Sequence, residues 1–203
     1  MMVNPNVDIH GNVSSYMYDD GMAEIDGAGV NFGCWGNSVS LSYDGLSLAP
    51  LKVGPAYVFK NTFADMVKRK VDGTYETGTA LKIGAGSYGL VYFFHNTIAL
   101  SRFPGSGGSN GISHWASGRQ PDFRCWNNII KASRYVVAAG ASTFLADYDC
   151  LWSIDPTGRF WGNGVNASNI QGLQQKGLEL HGIEADPGFA CPPGDLTPTQ
   201  GIN

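Results

Sequence analysis

A chain of 203 residues, 43% hydrophobic and 12% aromatic, is long enough for one domain with a sizeable core and too short for two large ones. With 15% charged residues and a formal net charge of −4, it carries no electrostatic footprint for nucleic acid or an acidic membrane surface. No run approaches the roughly 18 apolar residues that a membrane span needs, and 28 glycines spread along the chain fit many tight turns between short strands rather than long helices.

In chain order, the start, Met1 to Asp8, lacks the basic and apolar regions of a signal peptide. The expectation is a cytoplasmic protein or one that has shed a leader. From Gly11-Asn12-Val13 onward a short signature recurs: Trp35-Gly36-Asn37-Ser38-Val39, Phe59-Lys60-Asn61-Thr62-Phe63, Phe94-His95-Asn96-Thr97-Ile98 and Cys125-Trp126-Asn127-Asn128-Ile129. A copy with Asp in the Asn place follows, Asp147-Tyr148-Asp149-Cys150-Leu151. Taking Asn127 as the fifth member, successive copies stand 25, 24, 35, 31 and 22 residues apart, which brackets one coil of a solenoid.

A second signature lies between these positions: Asp20-Gly21-Met22-Ala23-Glu24-Ile25, Asp44-Gly45-Leu46-Ser47-Leu48, Ala80-Leu81-Lys82-Ile83 and Asn110-Gly111-Ile112-Ser113. A parallel strand alternates with period two, burying Leu46 and Leu48 and presenting Ser47. An Asn repeated at one coil position finds hydrogen-bond partners in the Asn above and below, so Asn37, Asn61, Asn96 and Asn127 are expected to form one column. Residues 62–70 place Phe63, Met66 and Val67 on one helical face and read equally as a short helix or a loop insertion. Residues 153–175, rich in Asn, Gly and Pro, read as an irregular loop.

Over about residues 7–152 these signatures make the chain resemble the right-handed parallel β-helix superfamily of pectate lyases, polygalacturonases, alginate epimerases and phage tailspikes. The resemblance implies an all-β solenoid of about five to six three-stranded coils, with the Asn column at the turn between second and third strands. Asp44-Gly45-Leu46-Ser47-Leu48 is then a first strand, Phe59-Lys60 ends a second and Thr62-Phe63 starts a third. Residues 177–189, Gly-Leu-Glu-Leu-His-Gly-Ile-Glu-Ala-Asp-Pro-Gly-Phe, are similar to the closing segment of many secreted β-helix proteins, with residues 195–198 as a capping stretch. The chain thus divides into coils over 1–152 and an irregular loop and cap over 153–203. A secreted or cell-surface location is implied.

Alternation predicts an outward column on the first strand, Glu24, Ser47, Lys82 and Ser113. The extra residues of the two long coils, roughly 64–79 and 100–111, precede that strand and wall it into a groove, where the family holds polysaccharide. Its acidic side has Asp19, Asp20, Glu24 and Asp26, with Asp44 one coil beyond Asp20. Such carboxylates bind calcium (Asp19, Asp20 and Asp26 as the candidate ligands), act as an acid/base pair on a glycosidic bond, or cap turns. For the Asp-Gly pairs at 20 and 44 turn chemistry is the simplest reading.

Glu24, Asp26 and Lys82 are the candidate catalytic residues, since lyase chemistry on uronic acids needs a cation and a base. Ser47, Arg102 and His114 are candidate substrate contacts. So are Lys60, His95 and Trp126, which together with Tyr148 make a basic and aromatic column just before the Asn positions. Cys34, Cys125, Cys150 and Cys191 form no C-x-x-C pair and read as buried thiols, with a bridge to Cys191 open in an oxidising compartment. No nucleophilic-serine, H-E-x-x-H or phosphate-loop motif is present. Two functions follow as expectations: a lyase-like or hydrolase-like enzyme on acidic polysaccharide, or a non-catalytic carbohydrate-binding or structural module.

Overall fold

The computed structural model describes residues 3–84, 86–114, 122–138, 144–155, 159–162 and 166–189. Alternation sets its strands. In Ala56–Phe59 and Val91–Phe94 the first and third residues are buried and the second and fourth half-buried. That is the period of a strand with one face on a core, built from β-branched and aromatic side chains that suit a pleated surface.

Apart from the two-stranded antiparallel pair Val67–Arg69 and Tyr75–Thr77, the described strands form three sheets, each parallel and each ordered as in the chain. The first holds Val3–Pro5, Asp20–Val30, Asp44–Leu51, Thr79–Ile83, Asn110–His114, Tyr135–Ala138 and Arg159–Gly162. The second holds Asp8–His10, Phe32–Trp35, Ala56–Phe59, Val91–Phe94, Phe123–Trp126 and Phe144–Asp147. The third holds Val13–Ser15, Ser38–Ser40, Thr62–Ala64, Thr97–Ala99, Ile129–Ala132, Cys150–Ser153 and Ile183–Glu184. Each turn of chain therefore adds one strand to every sheet, a solenoid-like stack in an all-β molecule. The assignment of first, second and third strands read from the sequence is the one observed. The interior is filled by like residues in register, such as Leu46 with Leu81 and Ile112, and Val58 with Phe93 and Cys125.

The polar column runs through the corner between second and third sheets. The backbone N–H and Nδ2 of Asn12 both donate to Oδ1 of Asn37, those of Asn37 to Asn61, of Asn61 to Asn96, of Asn96 to Asn128, and of Asn128 to Asp149, all at 2.6–3.2 Å. Asn37, Asn61, Asn96 and Asn128 are at most 2% exposed, so the bonds replace lost water.

The fifth rung is Asn128 and not Asn127. Every coil needs a residue of positive φ just before its rung: Gly36 (64°), Lys60 (54°), His95 (56°) and Tyr148 (61°) fill it, and Asn127 does so at 57°. Asn tolerates the left-handed region better than most side chains. Where two Asn are adjacent, the first takes the corner and the second the column. The same one-residue shift moves Trp126 out of the column of Lys60 and His95 and into that of Trp35, Phe59 and Phe94.

Residues 62–70 form no helix. Asp65 at φ 53° breaks the pattern between Thr62–Ala64 and Val67–Arg69, and the latter pairs antiparallel with Tyr75–Thr77 as a projecting hairpin. Beyond residue 152 the parallel ladder continues: Arg159–Gly162 pairs with Tyr135–Ala138, and Ile183–Glu184 with Cys150–Ser153. Between them Asn169 caps the five-residue helix Ile170–Gln174 by accepting from the Gly172 N–H, and Ile170, Leu173 and Leu178 are buried in the hydrophobic core. No described helix is long and apolar enough to cross a membrane. Cys191 and residues 195–198 lie outside the described residues.

Candidate functional site

On the first sheet the register Glu24–Ser47–Lys82–Ser113–Ala138 is the column expected from alternation. Glu24 and Lys82 are two strands apart, roughly 10 Å at the usual strand spacing, and Lys82 turns to a different acid. Its Nζ lies 3.2 Å from Oδ2 of Asp44, whose Oδ1 accepts from the Thr79 N–H. Asp44 pairs in register with Asp20, and carboxylate oxygens of Asp19, Asp20 and Asp44 lie within 4.8 Å of one another.

Asp20 and Asp44 begin strands rather than turns, and the glycines that follow serve close approach. A Cβ on Gly45 would stand 2.4 Å from the Ala80 carbonyl oxygen and one on Gly21 2.3 Å from Val39. Asp26 is exposed beyond a register shift in the same strand and is not one of the three convergent acids.

Burial pushes the Asp20 carboxyl up to about 6. The Lys82 charge opposes this, while Asp44, Asp19 and Glu24 add to it. Burial also raises Asp44, against the Lys82 charge and the Lys82 and Thr79 hydrogen bonds. For Lys82, burial pulls downward, but Asp44, Asp20 and Asp19 outweigh it and hold the ammonium above its ordinary value. The result is one carboxyl lifted to about 6 beside another bound to the Lys82 ammonium.

The hairpin walls this group. Lys68 sits 4.3 Å from the Tyr18 ring centroid and 4.1 Å from that of Tyr43, with Glu76 at 3.4 Å. On the other side of Lys82 opens a cleft of about 290 Å³, lined by Tyr43, Asp44, Thr79, Lys82, Asn110 and Arg134. The Arg134 guanidinium lies over the Tyr135 ring at 5.0 Å. The Lys82 ammonium, 3.2 Å from Asp44 Oδ2, already occupies and neutralises one of the three carboxylates that a calcium ion would need. The donor set does not fit a resident calcium ion.

Other expected contacts lie elsewhere. Ser47 is fully buried and Ser113 4% exposed, so neither presents a free hydroxyl to solvent. His114 is not past the strand but within it, in register with Ile83 and so in an inward column; it is 6% exposed, and neither ring nitrogen has a partner among the described residues. Burial lowers its pKa. Arg102 pairs with Asp155 at 3.4 Å beside a separate cleft that also holds Lys131, Trp152 and Asp186. Lys60 and His95 are exposed at left-handed corners.

Trp126 belongs to an outer aromatic column on the second sheet. His10–Trp35, Trp35–Phe59 and Phe59–Phe94 have centroids 4.4, 5.7 and 5.1 Å apart and planes within 10° of parallel. Rings stacked at the strand spacing cover one another's faces and show solvent their edges, whereas a sugar packs on a ring face. From His10 to Phe94 this column is flank packing, and Trp126 beyond it tilts at 35° to the Tyr92 ring, 6.3 Å away.

The site residues that sequence reasoning missed are Tyr18, Tyr43 and Arg134; Lys68 reads there as a solvated loop lysine and Asp44 as a turn residue on the acidic side of the groove. The recurrence of Asp-Gly at 20 and 44, one coil apart, is the sequence signal for the acid pair. No family model matches the chain, and neither a curated protein nor a solved structure matches it significantly.

Proposed function

We propose that the protein is a carbohydrate-active right-handed parallel β-helix, a glycoside-hydrolase-like enzyme on acidic polysaccharide, working at Asp20, Asp44 and Lys82. The observation that carries this reading is the pairing of Asp20 and Asp44 on adjacent coils, with carboxylate oxygens within 4.8 Å and the Lys82 ammonium on Asp44. Asp20 donates its proton to the glycosidic oxygen as the bond to the anomeric carbon breaks. Asp44, paired with Lys82, attacks that carbon, and water activated by the deprotonated Asp20 then releases the sugar. Oxygens within 4.8 Å are nearer the separation of about 5–5.5 Å in retaining enzymes than that of inverting ones. Arg134 and Lys82 supply cations for a sugar carboxylate in the adjoining cleft.

Elimination is the poorer fit, because Lys82 is held charged and His114 faces the interior, which leaves neither as the base. The test is digestion of polygalacturonate, alginate and glycosaminoglycans, reading reducing ends and the ultraviolet absorbance of unsaturated products. New reducing ends without absorbance are expected, lost on the order of 10²-fold or more in Asp20→Asn and Asp44→Asn. Activity should fall as pH rises through about 6, where Asp20 gives up its proton. Absorbance at every cleavage would replace hydrolysis with elimination. No product on any substrate would favour the second reading, a non-catalytic binding or structural module, which the burial of Ser47 and Ser113 along the groove floor supports.

A further inference from the structure

The polar column has a direction. Each rung donates through its backbone N–H and side-chain amide to the oxygen of the next, and the pattern ends on acids. Asp149 accepts both bonds from Asn128 on Oδ1, and the Asp149 N–H donates to Oε2 of Glu179 at 3.2 Å. Asp149 and Glu179 are each 1% exposed, and their other oxygens, Oδ2 and Oε1, are buried with no hydrogen-bond partner among the described residues. An Asn at 149 would pass an amide hydrogen onward. A carboxyl does so only when protonated.

Two ionised carboxylates touching in a dry site repel and lose hydration, so such a pair holds on to a proton. Gly182 makes the approach feasible, because a Cβ there would come 2.4 Å from Oε2 of Glu179. The Cys125 thiol hydrogen-bonds Asp149 and favours its charged form, but burial still raises Asp149. Cys125 of Phe123–Trp126 is a buried thiol pushed well above its ordinary value, and Cys150 of Cys150–Ser153 is likewise raised by burial. Asp147 of Phe144–Asp147 is bound to His181 of the closing segment at 2.8 Å.

We propose that Asp149 and Glu179 share one proton, and that this proton is a pH-sensitive latch fastening the closing segment to the last coil. The segment hangs on two further backbone bonds near the pair, Glu179 N–H to the Ala146 carbonyl and Ile183 N–H to the Asp149 carbonyl, while Gly182 N–H to the Glu179 carbonyl closes the turn between them. Loss of the proton places two charges beneath them. Burial, then the Asp149 charge, pushes Glu179 from 4.5 up to about 9. A folded value above the unfolded one means that the native chain binds a proton the unfolded chain releases. The associated stability is therefore complete below about 4.5 and drains away as pH rises to about 9.

The test compares the full chain with Glu179→Gln and Asp149→Asn, each of which gives the site an amide donor that does not titrate. Between about pH 6 and 9 the wild-type unfolding constant should rise about tenfold per pH unit; Glu179→Gln should lose that slope, and Asp149→Asn should end it at a lower pH because only the burial of Glu179 remains. Hydrogen exchange at Glu179, Gly182 and Ile183, corrected for intrinsic rates, should lose protection above about pH 9 in the wild type and keep it in the variants. Infrared spectra at neutral pH should show a buried protonated carboxyl in the wild type alone. If one variant does not fold, the other carries the comparison. An unchanged slope in a folded variant, or protection that persists in the alkaline wild type, overturns the proposal.

Discussion

Asn127 and Asn128 are the same amino acid in adjacent places, and the backbone gives them opposite work. Asn127 is exposed at φ 57°, and Asn128 is 1% exposed with four partners for its amide hydrogens. Asn127→Gly should change stability by about 1 kcal/mol or less, because glycine suits the left-handed corner. Asn61→Ala should cost about 3 kcal/mol or more in urea denaturation, since it strands two buried donors of Asn37 and one acceptor of Cys34. Equal losses at the two positions would contradict the column as the source of the stability. The same logic of place governs the acids. Asp20 is held up near 6 by burial while Asp26, six residues on, is exposed in the same strand.

At the scale of elements, the hairpin and the outer aromatic column make separable predictions. Lys68 joins the hairpin to two earlier coils through Tyr18 and Tyr43. Lys68→Ala should lower stability by about 1–2 kcal/mol and, by loosening the wall beside Asp44, reduce kcat/KM on a soluble oligosaccharide. Stability loss with kcat/KM unchanged would make the hairpin a mere surface ornament. For the column, Phe59→Leu and Phe94→Leu should depress the melting temperature without altering saccharide affinity, because those rings present edges and not faces. A loss of affinity in calorimetry with the fold intact would restore the column as a binding surface.

Across the whole molecule, each coil touches its neighbours and little else, so stability is close to a sum of coil and interface contributions. The ends therefore differ in kind. In Val13–Ser15 the inward position is the half-buried Ser14, in register with Val39, whereas the other end is covered by Leu173 and Leu178 and closed on Glu179.

The stacked parallel architecture was legible because a solenoid repeats its local requirements. A polar rung, a left-handed corner and a period-two strand must recur in every coil, and the signatures around Asn37, Asn61 and Asn96 write them down. The register of Glu24, Ser47, Lys82 and Ser113 was legible for the same reason, although Ser47 and Ser113 are buried rather than open to solvent. Contacts between coils were not, since they depend on how far a side chain reaches along the stack. Lys82 chose Asp44 over Glu24, His114 fell on the inward side of its strand, and Trp126 moved one column when Asn127 took the corner. Sequence alone determined the repeat, because alternation and turn chemistry are local. Tertiary structure alone decided which carboxylates meet and which keep a proton, because charge and burial act between residues that lie one coil apart in space and about 24 to 35 apart in the chain.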